Sequence, residues 1–152
     1  MGLSSTTRRN DYDGSGATAT YAYSFKIVNQ SHLLVTIRDD STGTETTLTI
    51  TTQYTVTGVG EATGGNVVLV DDGSAWNDGS GFLKSGYSLS IRRVVPLTQE
   101  TDIRNQGDFF PESHEDQFDL LVMIDQQQQD EIDRSIRLKE TSESTASLRI
   151  PD

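Results

Sequence analysis

The sequence predicts an all-β fold, a small antiparallel β-sandwich or barrel-like domain, followed by a long C-terminal α-helix. Three observations carry that expectation. About six short segments alternate apolar and polar residues between clusters of Gly, Asp and Asn, the spacing of sandwiches and small barrels. Hydrophobic residues are only 33% of the 152 residues, and the Thr, Ser, Gly, Asp and Gln that replace them suit a turn-rich domain with one modest core. Past Pro111 the pattern changes. Ser113 followed by Asp116 forms an S-x-x-D helix start, and eight acids from Glu112 to Asp133 run without a Lys or Arg before Arg134, Arg137 and Lys139 close the stretch. That charge order suits the helix dipole.

Residues 1–16 are polar, with Asn10, Asp11, Asp13, Gly14 and Gly16 as turn residues, and read as a flexible N-terminal tail. The β domain is expected over residues 17–96. Tyr21, Tyr23, Phe25 and Ile27 alternate with Thr20, Ala22, Ser24 and Lys26 as a first strand; Leu33, Val35 and Ile37 against Leu34, Thr36 and Arg38 make a second. Asp39-Asp40-Ser41-Thr42-Gly43 suits a hairpin turn, after which Glu45–Ile50 and Gln53–Thr57 are further strands. Gly58, Gly60, Gly64 and Gly65 mark a turn before Asn66–Val70. Asp71–Gly86 reads as a long hairpin arm or surface loop whose large apolar anchors, Trp76 and Phe82, either form an exposed contact pair or fold back onto the domain, and Tyr87, Leu89 and Ile91 close the run.

Residues 97–112, with the pair Phe109-Phe110, form an extended linker arm, longer than most ordered connections and therefore expected to have a function or a neighbour to lie on. The helix is expected over 113–138, with Pro111 blocking an earlier start, and would reach roughly 37 Å. Its stripe of Phe118, Leu121, Val122 and Asp125, continued by Gln128, Ile132 and Ile136, is dense only at its beginning. Glutamines at 126–129 facing an apolar core would strand amides at about 1–3 kcal/mol each. Around an axis shared by identical chains they would pair, and a polar layer there sets register. Self-association follows as an expectation; the alternative is a solvated helix lying on one domain with only Phe118–Ile124 buried. Residues 139–152 read as the start of a further segment or a tail.

Charge and composition exclude several classes. A net charge of −11 repels phosphates, so nucleic acid is not expected as a partner. No apolar run approaches a membrane span, and the amino terminus lacks an apolar signal region. The chain has no cysteine, hence neither a disulfide framework nor a thiolate metal site. The two histidines, His32 and His114, read as surface or capping residues, and no G-x-S-x-G surrounds a serine. Asp11–Gly16 begins like a calcium loop but has Ala22 where the bidentate Glu belongs. Gly58–Thr63 is a near miss to G-x-G-x-x-G, and a strand pattern follows it where a helix is needed. No catalytic residue, metal or cofactor is expected, and the chain reads as a non-enzyme working by surface recognition and assembly.

Four stretches together resemble a known family: NDYDGSGATATYAYSFKI, a strand ending in RDD, QYTVTGVGEATGGNVVL, and LSIRRVVPLTQETDIRNQGDFFPESHEDQFDLLVMIDQQQQDEIDRSIRL. They are similar, from about Asn10 to Leu138, to the amino-terminal anchor domain of bacteriophage tail fibres and tailspikes of teseptimavirus-like podophages. The resemblance implies a virion structural protein of the phage tail, assembled in the bacterial cytoplasm, homotrimeric, and docked on the tail tube or on its adaptor or nozzle proteins. It implies a downstream receptor-binding spike as a further partner. Carried over by position, Pro96, Leu97, Thr98, Gln99, Glu100, Thr101 and Asp102 would be the arm from sheet to stalk, with Phe109 and Phe110 at its far end. Phe118, Leu121, Asp125, Gln128 and Ile132 would be the seam of a coiled-coil stalk. Two other readings are a carbohydrate-binding β module, with Trp76, Phe82 and Tyr87 as a stacking platform, and a capsid head-fibre or decoration protein.

Overall fold

A computed structural model describes residues 5–98 and 111–135. The strands are β1 (Arg9–Asp13), β2 (Thr20–Tyr23), β3 (Leu33–Asp39), β4 (Glu45–Thr47), β5 (Tyr54–Val56), β6 (Gly65–Leu69) and β7 (Tyr87–Arg93), and the helix is α1 (Pro111–Arg134). They form a four-stranded sheet in the order β1-β7-β3-β4 and a three-stranded sheet in the order β2-β6-β5. Neighbouring strands are antiparallel throughout both sheets.

Alternation decides which side chains meet between the sheets. Val35 and Ile37 of β3 and Leu89 and Ile91 of β7 face Tyr23, Val67 and Leu69 of the other sheet in one cluster, all nearly inaccessible to water. Burying each such side chain contributes about 1.5–3 kcal/mol. Phe25 and Ile27 continue the inward row of β2 beyond the end of its ladder, each 0% exposed. Tyrosine hydroxyls tie one sheet to the other: that of Tyr12 donates to the Ala22 carbonyl at 2.5 Å and that of Tyr54 to the Leu33 carbonyl at 3.4 Å. Where the chain crosses between β5 and β6, a Cβ on Gly64 would stand 2.0 Å from the Tyr23 oxygen, at φ +83°. Only glycine fits there.

Two expectations need correction, and a choice left open is decided. The segment read as a mobile tail contains β1, which extends the four-stranded sheet from Arg9 opposite Arg92 to Asp13 opposite Ser88. An edge strand with one face in water needs little apolar content. Tyr12 supplies it by packing on Tyr21, with ring centroids 5.2 Å apart, while the Asn10 side chain accepts from the Ser24 amide at 3.0 Å. The helix starts at Pro111 rather than after it; a first-turn N–H has no partner within the helix, so proline is tolerated there. Of the two readings of Asp71–Gly86, the chain takes the one that folds back. Trp76 is 5% and Leu83 0% exposed, and the Asn77 amide bridges Val70, Gly79 and Gly81 at 2.9–3.1 Å.

The expected start of a downstream segment at 139–152 lies outside the described residues. If β1 is structural, Tyr12→Ala should lower stability on the order of 2–4 kcal/mol, read as a reduced urea midpoint. The same change in a mobile tail would leave the midpoint where it was.

Candidate functional site

The helix has two faces with different fates. On one, Asp119, Met123, Gln126, Gln127 and Asp130 recur at helical spacing, and Met123 is 0% and Asp119 5% exposed. This face lies on the end of the β domain, held largely by polar contacts. The Lys26 ammonium meets Asp119 at 2.9 Å. The backbone N–H of Val95, just past the end of β7, donates to the Gln127 side chain at 2.8 Å. Gln126 donates to the Ser5 carbonyl at 3.1 Å and accepts from Arg93.

Arg93 explains why the domain end is shaped to receive such a helix. It occupies the core-facing register of β7 after Leu89 and Ile91, and it is only 3% exposed. Its guanidinium lies over the Phe25 ring, 5.7 Å from the centroid, and donates to the Lys26 carbonyl at 3.1 Å. Burial, with a smaller contribution from the nearby Arg8 charge, lowers its pKa to about 10, so it remains a cation at neutral pH. A buried cation needs acceptors, and Gln126 is one of them.

Asp130 gathers the other arginines. Arg8 reaches it at 3.1 Å, Arg92 at 3.7 Å and Arg134 at 2.6 Å, and Arg8 also reaches Asp133 at 3.5 Å. Burial alone would raise the Asp130 pKa. The hydrogen bond from Arg8 and the charges of Arg134, Arg8 and Arg92 together outweigh it, and the net shift is downward.

The glutamines therefore do not need a sister chain, contrary to the expectation drawn from their amides. Gln126 and Gln127 meet backbone and arginine groups at the rim of the sheets rather than an apolar core. The alternative, a solvated helix lying on one domain with only Phe118–Ile124 buried, is met in part: the helix lies on its own domain and Asp119 and Met123 are buried there, whereas Phe118, Leu121 and Val122 are 65%, 58% and 43% exposed. These form the second face. Asp125 and Gln128 are exposed on it, and Ile132 is 47% exposed, so all five residues read as the seam point away from the domain that holds the helix.

Of the arm residues, Pro96, Leu97 and Thr98 are exposed where the chain leaves the sheet, Leu97 at 68%. Gln99, Glu100, Thr101, Asp102, Phe109 and Phe110 lie outside the described residues. Trp76 and Tyr87 line an open cleft of about 480 Å³ beside Thr42 and Thr44. Trp76 is too buried to offer a ring face, which removes the main member of the stacking platform. The grip of Arg8, Lys26, Arg92 and Arg93 was not anticipated. The doublets Arg8-Arg9 and Arg92-Arg93, set against an acidic helix without cations, were the signal for it.

No family model matches the chain. Over 127 residues, 84% of its length, it is 45% identical to the tail spike protein of Salmonella phage epsilon15. The chain is a homologue of a phage tail spike. The matched stretch covers 11% of that protein, so this tail spike homologue spans about a tenth of the length of its relative.

Asp130→Asn should lower stability on the order of 1–2 kcal/mol near neutral pH, between the values for exposed and buried ion pairs. A carboxylate whose pKa is depressed on folding contributes above its unfolded pKa and stops contributing as pH falls through the folded value. Urea denaturation should therefore find the gap between parent and variant constant near neutrality and closing below about pH 4.

Proposed function

We propose that this tail spike homologue is the N-terminal anchor of a tail spike or tail fibre. In this reading it is a non-enzymatic part of the virion tail. A two-sheet sandwich docks on an adaptor or nozzle protein, and three copies assemble through the outward face of α1 into a coiled-coil stalk that leads to a receptor-binding spike. The observation that carries the reading is the exposed row of Phe118, Leu121, Val122 and Ile132 on a helix whose other face is already tied down by Lys26, Arg8 and Arg93. Exposed large apolar residues grouped in the way Phe118, Leu121 and Val122 are grouped mark an interaction site. The row's steps of three and four residues, 118-121-125-128-132, are those of a left-handed coiled coil. The similarity to the epsilon15 tail spike supports a place in the phage tail, and the exposed Pro96–Thr98 exit supports an arm that leaves the domain rather than packing on it.

The test has two arms. Phe118→Glu combined with Leu121→Glu should convert a trimer into a monomer in sedimentation equilibrium while leaving the β-domain melting transition within a few degrees of the parent. A parent chain that stays strictly monomeric at micromolar concentration counts against the stalk. Binding to purified tail particles but not to capsids is expected; the opposite result favours the head-fibre reading.

A further inference from the structure

The two ends of the β domain differ in charge. Leu33 pairs with Arg93 at the end that receives the helix, and Asp39 pairs with Tyr87 at the other, roughly 20 Å away along β7. Arg8, Lys26, Arg92 and Arg93 collect at the first end. Asp39 and Asp72 stand at the second, around the cleft beside Trp76 and Tyr87. Asp39 and Gln53 both line that cleft, and Asp72 accepts from the Gln53 side chain at 2.6 Å. In the anchor reading the helix leads to the stalk, which leaves the acidic end for the tail.

The cleft opens beside an edge strand, since β4 is the outermost of the order β1-β7-β3-β4. The Asp39 N–H donates to the Thr44 carbonyl at 2.9 Å and the Leu48 N–H to the Val35 carbonyl at 2.8 Å, so the even-numbered residues here bond to β3. Antiparallel geometry turns the N–H and C=O of Glu45 and Thr47 the other way, along the outer edge. Thr46 lies opposite Ile37 in the core-facing row, and its side chain and that of Thr44 line the cleft above the buried Ile37 and Trp76. An open edge next to a side-chain pocket supplies both halves of a strand-addition site: the backbone groups give affinity and the pocket gives specificity. Charge selects the occupant. Glu45 on the edge, with Asp39 and Asp72 at the rim, repels a second copy of a chain of net charge −11 and attracts a basic strand.

We propose that an extended, basic segment of the tail protein on which this domain docks adds as a strand to β4 and lays an apolar side chain in the cleft over Trp76. The inference rests on the anchor reading above and deepens it, by naming the docking surface and the chemistry of its partner.

The chain has no cysteine, so Thr46→Cys carries a single photoactivatable crosslinker at the cleft. Irradiated with purified spike-free tail particles, it should label a tail protein on a segment of net positive charge. Label on an acidic segment, on this chain or on a sister copy overturns the proposal. Two variants of the full chain then measure affinity for the same particles. Thr47→Pro removes an outward N–H while sparing the ladder to β3, and should weaken binding about tenfold. Glu45→Lys reverses an exposed charge on the edge, should fold as the parent does, and should weaken binding severalfold. Parent-level binding by either variant overturns the proposal and leaves the anchor reading standing. A parent chain that does not bind the tail particles ends both.

Discussion

The contact on which the arrangement depends is the grip of a basic domain end on an acidic helix. Arg93 is delivered into the core register by the alternation of β7, behind Leu89 and Ile91. A guanidinium at the end of an apolar row must find acceptors at the mouth of the core or destabilise it. The Lys26 carbonyl, the Phe25 ring and the Gln126 side chain provide them. The helix is thus part of how the domain end is completed, and its polarity is what qualifies it for that place.

The same grip decides which side of the helix remains for other molecules. Once Asp119, Met123, Gln126 and Asp130 face inward, the helical period turns Phe118, Leu121, Asp125 and Ile132 outward, because the two sets lie on nearly opposite sides of a 3.6-residue turn. An acidic helix laid on an acidic chain would ordinarily be repelled. Here, cations from separate parts of the chain, Arg8 before β1, Lys26 after β2 and Arg92 and Arg93 on β7, collect at one end of the two sheets, and local attraction overcomes the global charge of −11.

Much of the β domain was legible because alternation at period two and glycine turns are local signals. The inward rows Leu33-Val35-Ile37 and Leu89-Ile91 and the turn at Asp39–Gly43 follow from residue order. The Asp39 carboxylate accepts from Ser41 and Thr42 as turn chemistry requires. β1 was not legible, since RNDYD holds a single apolar residue and its strand state depends on the free edge of β7, far along the chain. Trp76 was left undecided for a related reason: nothing local in a Gly- and Asp-rich loop chooses between exposure and folding back until Asn77 is seen to fold it on itself.

By itself the sequence determined the helix, the polarity of its second half and the spacing of the row from Phe118 to Ile132, since these depend on neighbours within a few residues. Only the tertiary structure decided which partners the glutamines find and which face of the helix is left open. That choice was made by arginines distant in sequence, and a one-dimensional pattern carries no record of which charges the fold brings within 4 Å of one another.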